Sequence, residues 1–145
     1  MRVDHVNTYP AGAEEVWRML TSVAFREQVC LRQHALDHHV DVSTGGPTTT
    51  VTVTRTQSMA KAPSVATKVV GDRIRVVQRE VWHGPSSAEL FMEVPGKPGH
   101  LTGTITLRAN PDGTTDEVFA GEVKVHLPLV GGRLERLVAT SWCGP

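Results

Sequence analysis

The stretch HLPLVGGRLERLVATSW (His126–Trp142) follows a long run of strand-like sequence and closes the chain. Its apolar residues recur at helical spacing along one side and its polar residues fall on the other, which is typical of an amphipathic helix. The apolar stripe is formed by Val130, Leu134, Leu137, Val138 and either Ser141 or Trp142. A helix with one apolar side needs a matching surface, so we expect it to pack against the sheet that the preceding sequence predicts.

That sheet is predicted by apolar and polar residues that alternate with a period of two. The run TTTVTVTRT (48–56) is the clearest example, because helices disfavour consecutive β-branched residues. Clusters of Gly, Pro, Asn and Asp separate such runs at short spacing and mark the hairpins of an antiparallel sheet. Strands are predicted at residues 2–9, 34–42, 48–56, 74–82, 87–94, 100–108 and 115–127.

Three more helices are predicted between these strands. The segment AEEVWRML (13–20) has Val16 and Leu20 on one helical side, and a second helix runs from about Val23 to Leu31. The segment Ser58–Asp72 joins two strands and is predicted to contain a short helix. The predicted fold class is α+β, with a seven-stranded curved antiparallel sheet around the C-terminal helix. The order of elements is β-α-α-β-β-(short α)-β-β-β-β-α, in one domain over residues 1–145.

Composition excludes several classes of function. The 15 basic residues balance the 15 acidic ones and form no cluster that would suit nucleic acid or an anionic membrane. No segment approaches about 18 consecutive apolar residues, so we expect a cytoplasmic protein without membrane spans or a signal peptide. Cys30 and Cys143 lack metal-binding spacing, and the adjacent His38 and His39 point to opposite faces of a strand. His34 and His38 have the spacing of helical ligands, but their context is strand-like and no Glu stands between them as in HExxH. No metal is therefore expected, and without a GxGxxG or P-loop sequence no cofactor is expected either.

The predicted strand RIRVVQREVW brings polar side chains to the inner face of the sheet. If its outer arginines face water, then Gln78, Glu80 and Trp82 face inward, and the same alternation turns His38 and Arg55 inward. An unpaired buried carboxylate is costly, so we expect Glu80 to pair with Arg55 or His38 or to have a raised pKa. The alternative is that these groups lie near strand ends or on the outer face and are simply solvated.

The remaining inward positions predict an apolar lining. Together with the five residues above, the candidate ligand-binding residues are Leu90, Met92, Ile105, Phe119 and Val123 of the sheet, and Leu134, Leu137 and Val138 of the last helix. Gly103 and Gly121 also point inward, where they either permit sharp curvature of the sheet or leave room for a helix or ligand. The insertion Ser58–Asp72 is predicted to be either a lid over the pocket or a patch that seals the edge of the sheet.

The order of elements and two stretches of sequence resemble a known family. HVNTYPAGAEEVWRML (5–20) and GTITLRANPDGTTDEVFAGEVKVHLPLVGGRLERLV (103–138) are similar to an actinobacterial domain-of-unknown-function family of the SRPBCC superfamily, which has START-like, helix-grip, polyketide cyclase-like folds. The resemblance implies a cavity between the sheet and the last helix that holds a lipid, sterol, polyketide or other apolar ligand. It also implies a longer last helix than the 13 residues after Leu129 and before the final CGP allow. The sequence therefore indicates either a shortened helix or an altered C-terminal end.

Three functions are compatible with these patterns. The first is binding or carriage of an apolar small molecule, such as a lipid, a polyketide-like compound or an isoprenoid. The second is a cyclase- or hydrolase-like enzyme with Glu80 and His38 as candidate acid and base. The third is a protein-interaction module, as in chaperone-activating members of the superfamily. We favour the binder, because the fold supplies a cavity and the sequence contains no complete catalytic constellation.

Overall fold

The computed structural model describes residues 1–64, 67–68, 71–97 and 99–125. The described elements are β1 (Arg2–Tyr9), α1 (Ala13–Leu20), α2 (Val23–Arg32), β2 (Asp37–Gly45), β3 (Thr48–Ser58), β4 (Arg73–Trp82), β5 (Ser87–Glu93), β6 (Gly99–Ala109) and β7 (Thr115–Val125). The predicted last helix, with its candidate lining residues Leu134, Leu137 and Val138, lies outside the described residues.

The seven strands form one curved antiparallel sheet in the order β1-β7-β6-β5-β4-β3-β2. The first two strands of the chain are thus the two edge strands of the sheet, and the chain between them must cross its whole width. The helices α1 and α2 make this crossing, with α1 against β6 and α2 against β2. The predicted α+β class and the seven-stranded sheet are confirmed. We call the side that carries α1 and α2 the concave face.

The two helices are held to the sheet by different kinds of residues. Helix α1 buries Val16 and Leu20, which lie one turn apart, and its first turn carries acidic residues that suit a helix N-terminus. Helix α2 begins after Ser22, whose side chain caps the helix, and it buries Arg26 and Cys30. The buried side of α2 therefore contains an arginine, whereas the apolar Val23 is 41% exposed.

Alternation along the strands places the core as the sequence predicts. The buried apolar side chains of the sheet are Val3, Val51, Val53, Val76, Trp82, Ala88, Leu90, Met92, Leu101, Ile105, Leu107, Phe119 and Val123. Leu36 is an exception: the alternation predicts it inward beside His38, but it is 50% exposed. It precedes β2, and its N–H reaches the carbonyl oxygen of Thr56 at 2.8 Å across the start of the β2–β3 ladder, so the alternation begins only at the next residue.

Gly103 and Gly121 face each other across β6 and β7. A Cβ added to Gly103 would lie 2.5 Å from the carbonyl oxygen of Ala120, and one added to Gly121 would lie 2.5 Å from that of Thr102. The ring of Phe119 lies over both glycines, 2.9 and 2.7 Å from the two Cβ positions. These positions do not leave room for a ligand, because the approaching backbone and the Phe119 ring fill the space. They permit the close approach that bends the sheet.

The insertion between β3 and β4 contains the predicted helical turn. Ser64, Thr67 and Lys68 are helical, and the N–H groups of Thr67 and Gly71 bond the carbonyl oxygens of Pro63 and Thr67 at 3.3 and 2.8 Å. At its base, the N–H of Met59 bonds the carbonyl oxygen of Asp72 at 2.7 Å, so the insertion closes on itself where it leaves the sheet. Its role as a lid stays a prediction, as does its role as an edge seal.

Candidate functional site

A row of polar side chains is buried on the concave face. The structure places Arg55, Gln78, Glu80 and Trp82 at 4%, 5%, 1% and 0% exposure, so these residues face inward as the alternation predicts. They come from the neighbouring strands β3 and β4. The alternative reading, in which the polar groups lie on the outer face and are solvated, is wrong for Arg55, Gln78 and Glu80.

Glu80 is the centre of this row, and it accepts three hydrogen bonds from side chains. Its Oε1 accepts from Arg26 Nη2 at 2.5 Å and from Trp82 Nε1 at 3.1 Å, while its Oε2 accepts from Gln78 Nε2 at 2.7 Å. The expected pairing of Glu80 with Arg55 or His38 is therefore wrong. The cation comes from α2, a helix whose weak apolar periodicity did not indicate which residues face the sheet.

Arg26 links the two helices to the sheet. Its Nη2 pairs with Glu80, and its Nε donates to the backbone carbonyl oxygen of Leu20 at 2.7 Å, which satisfies an orphan acceptor at the end of α1. Burial by itself would lower the pKa of Arg26, but the charge of Glu80 and the hydrogen bond to it raise the pKa above its ordinary value. The pair is therefore a buried ion pair that fixes α1 and α2 against β4.

Arg55 is a second buried cation, and its surroundings differ. Its Nη1 donates to Gln78 Oε1 at 3.2 Å. With the Gln57 amide in the orientation that satisfies both its oxygen and its nitrogen, Arg55 Nε donates to the Gln57 amide oxygen at 3.3 Å. Within residues 1–125 as described, no carboxylate forms an ion pair with it. Burial lowers the pKa of Arg55, Cys30 acts in the other direction, and the charge of Arg26 lowers the pKa again. Its partners are thus neutral amides.

His38 lies opposite Arg55 on β2 but is not joined to Glu80. It is half-buried, and its Nε2 lies 3.6 Å from Glu27 Oε2 on α2. It is two strands and four residue positions away from Glu80, which separates the two Cα atoms by roughly 16 Å on strand geometry. The structure joins three of the four predicted polar residues and leaves His38 at the edge strand.

A second polar group lies on the strands β1 and β7. Tyr9 donates to Glu117 Oε1 at 3.1 Å, and Asn7 donates to the same oxygen at 3.4 Å. Burial, followed by the charge of Glu80, raises the pKa of Glu117, although Arg26 acts in the other direction. Burial and the charge of Glu117 likewise raise the pKa of Tyr9. Sequence reasoning missed this group, although Glu117 shares the alternation of Phe119 on β7.

The raised pKa of Glu117 predicts a pH-dependent effect on stability. A carboxyl group whose pKa is higher in the folded than in the unfolded protein lowers stability as it ionises, and this loss begins near its ordinary value of 4.5. Glu117→Gln keeps an oxygen to accept from Tyr9 and removes the charge. We expect the variant to gain stability relative to the unmodified protein as pH rises from 4.5 to 8, measured as the free energy of unfolding in urea. Glu14→Gln, at an exposed position, is the control. Equal pH profiles of stability for the Glu117 variant and the unmodified protein would contradict the partly buried position of Glu117.

The apolar lining predicted for the sheet lies beside the polar row. Leu90, Met92, Ile105, Phe119 and Val123 are each at most 4% exposed and belong to the adjacent strands β5, β6 and β7. They form a continuous apolar wall on the concave face. The opposite wall of the predicted cavity, the last helix, lies outside the described residues.

An open depression of about 350 Å³ lies on the sheet, lined by Arg2, Thr102, Thr104, Ala120, Gly121 and Glu122. Most of these side chains are exposed and polar, which does not suit an apolar ligand. No cluster of three metal-ligating side chains occurs among the described residues. Cys30 is buried, whereas Cys143 falls in the part of the chain that is not described.

Comparison with known proteins adds a family and a fold. The model of a family described as "Protein of unknown function (DUF2505)" matches residues 4–142. No curated protein matches the sequence.

Solved structures share the fold at low sequence identity. The protein TTHA0849 from Thermus thermophilus is 18% identical over 98% of this chain and 86% of its own, with a TM-score of 0.59. The Zhui aromatase/cyclase from Streptomyces sp. R1128 is 15% identical over 98% and 86%, with a TM-score of 0.65. Dicamba monooxygenase bound to 3,6-dichlorosalicylic acid is 14% identical over 96% of this chain but only 44% of its own, with a TM-score of 0.60. At such identities the similarity shows a helix-grip, polyketide cyclase-like fold.

Proposed function

The chain belongs to the DUF2505 family, and we propose that it binds a hydrophobic small molecule between its curved sheet and its last helix. The ligand class is a lipid, a polyketide-like compound or an isoprenoid. Leu90, Met92, Ile105, Phe119 and Val123 would line the sheet side of the cavity, and the predicted last helix would close it.

The observation that carries this proposal is the composition of the concave face. One half is a continuous apolar wall from β5 to β7, and the other half carries a short row of buried, oriented polar groups on β3 and β4. A mainly apolar pocket with a few fixed polar groups is the usual lining of a small-molecule site. The outer face offers no such combination, since its strand residues are mainly exposed Thr, Glu and Arg side chains.

The structural neighbours support the proposal at the level of the fold. One of them is an aromatase/cyclase, and another was solved with an aromatic acid bound. Both neighbours are thus proteins that handle aromatic compounds, which supports a hydrophobic ligand for this chain. The actinobacterial origin and the cytoplasmic location that the sequence suggests, and the absence of nucleic-acid partners, stay predictions. None of the described helices is long and apolar enough to cross a membrane.

Binding is favoured over the enzymatic alternative by the environment of Glu80. Both of its oxygens already accept hydrogen bonds from Arg26, Trp82 and Gln78, so its role in the structure is to hold the helices to the sheet. His38, the candidate base, lies near the edge of the sheet. A general acid and base must both reach the reacting atoms within hydrogen-bond distance, and this arrangement does not bring these two side chains together.

The proposal can be tested with a neutral apolar probe, N-phenyl-1-naphthylamine, whose fluorescence rises in apolar surroundings. We expect saturable binding of about one probe per chain. Val123→Phe adds volume to the concave face and should weaken binding of the probe about tenfold or more. Overpacking by the larger ring should also lower the free energy of unfolding by about 1–3 kcal/mol. The control is Lys124→Phe, which places the same ring on the exposed side of the same strand and should leave binding unchanged. Lack of saturable binding, or equal loss in both variants, would contradict the proposed site.

A further inference from the structure

We propose that the molecule bound on the concave face carries a carboxylate and that Arg55 receives this group. This inference rests on the proposed function and narrows it from any apolar compound to a hydrophobic carboxylic acid, either a fatty acid or an aromatic acid.

The buried charges around Arg55 do not balance among the described residues. Arg26 and Arg55 are 8% and 4% exposed, whereas the carboxylate between them, that of Glu80, is engaged by Arg26 and not by Arg55. A buried guanidinium is costly unless an anion compensates it. Among the described residues the hydrogen-bond acceptors of Arg55 are the amide oxygens of Gln78 and Gln57, which carry no charge, and burial raises the pKa of the nearby Cys30 thiol, which disfavours its anionic form. A ligand carboxylate would supply the missing negative charge.

The guanidinium of Arg55 is held in a fixed orientation. Gln78 donates to Glu80 Oε2 and accepts from Arg55 Nη1, so its amide is held by a charged partner on each side and fixes the orientation of the guanidinium. Arg55 Nη2 makes no hydrogen bond to any described side chain. Nη2 is thus left to donate to a ligand, and a hydrogen bond from a guanidinium to a carboxylate is charge-assisted and therefore strong.

A row of apolar side chains leads away from Arg55 and could contact the apolar part of the ligand. In the register of the sheet, Gln78 lies beside Met92, which lies beside Leu101, which lies beside Val123. This row runs from the polar end near Arg55 across β5 and β6 to β7, and its three apolar members are at most 4% exposed. From β3 to β7 the distance is roughly 19 Å on ordinary strand spacing, enough for an extended chain or for fused rings.

The experiment compares acids with neutral analogues of the same shape. Dodecanoate is paired with 1-dodecanol, and 2-naphthoate with 2-naphthalenemethanol, and each is titrated calorimetrically at pH 7. In the unmodified protein at least one acid is expected to bind about 10- to 100-fold more tightly than its alcohol, as a charge-assisted hydrogen bond predicts. In Arg55→Gln this preference should vanish while the affinity for the alcohol stays within about threefold. Arg79→Gln removes a cation from the exposed side of β4 and should change nothing.

The outcomes separate this inference from the proposed function. If acids and alcohols bind the unmodified protein equally, the carboxylate inference is wrong and the apolar site stands. If the preference for acids survives in Arg55→Gln, another cation receives the carboxylate and the inference is again wrong. If none of the four compounds binds, both the proposed function and the carboxylate inference are wrong. Should Arg55→Gln not fold, Arg55→Lys keeps the charge without the planar fork and is expected to retain only part of the preference.

Discussion

Arg26→Met is expected to lower the free energy of unfolding by about 3–5 kcal/mol, the largest effect we predict for a single substitution. Glu80 is 1% exposed, and without Arg26 its charge would be buried with only the neutral donors Gln78 and Trp82. The carbonyl oxygen of Leu20 would lose its hydrogen bond as well. The loss can be measured by urea unfolding at pH 7. Glu80→Gln should be destabilising for the same reason, because it leaves the guanidinium of Arg26 unpaired.

A double substitution distinguishes a structural ion pair from a more general packing effect. In Arg26→Met/Glu80→Met both charges are replaced by apolar side chains, so most of the stability lost in the single variants should return. The control is Arg18→Met, because Arg18 pairs with Glu14 on the exposed side of α1. This substitution should change the free energy of unfolding by less than about 0.5 kcal/mol. A loss below about 1 kcal/mol in Arg26→Met would mean that the buried pair does not exist as described.

Gly121→Ala is expected to lower the free energy of unfolding by about 1–3 kcal/mol or more, because there is no space for the added methyl group. It would lie 2.5 Å from the carbonyl oxygen of Thr102, which belongs to the neighbouring strand and moves only if the sheet moves. It would also lie 2.7 Å from Cζ of Phe119. Removing the ring with Phe119→Leu should therefore relieve only part of the strain in Gly121→Ala, because the carbonyl contact remains.

A matched substitution controls for the loss of glycine itself. Gly45 is exposed at the end of β2, and a Cβ built on it meets no atom within 4 Å. Gly45→Ala should therefore leave the free energy of unfolding within about 0.5 kcal/mol of the unmodified protein. If Gly121→Ala is tolerated as well as Gly45→Ala, then β6 and β7 do not approach each other as closely as the structure shows.

The strands and the inward direction of their side chains could be predicted from the sequence. A period of two has one register that buries the apolar residues, and that register carries Arg55, Gln78 and Glu80 inward with the valines beside them. The helix α1 was equally clear, because Val16 and Leu20 lie one turn apart. In each case the prediction rests on apolar residues that recur at a regular spacing within one short segment.

The partners of the polar residues could not be predicted in the same way. Arg26 lies 54 residues from Glu80, on a helix whose sheet-facing side is not consistently apolar, so no period indicated that it turns inward. Glu117 and Tyr9 could have been found, because they share the alternation of Phe119 and Val3, but a glutamate next to apolar residues is easily assigned to the solvated side. Pairing between distant elements depends on tertiary packing, which local patterns do not encode.

The most direct test of the central claim is native mass spectrometry of the protein purified from cells without detergent or organic solvent. The proposed binding of an apolar molecule predicts a species heavier than the 15.8 kDa chain by a few hundred daltons, which returns to the mass of the chain once the protein is denatured. The extracted compound should be an acid that partitions into organic solvent at low pH. A preparation that shows only the bare chain, and that takes up neither dodecanoate nor 2-naphthoate when these are added, would contradict the account.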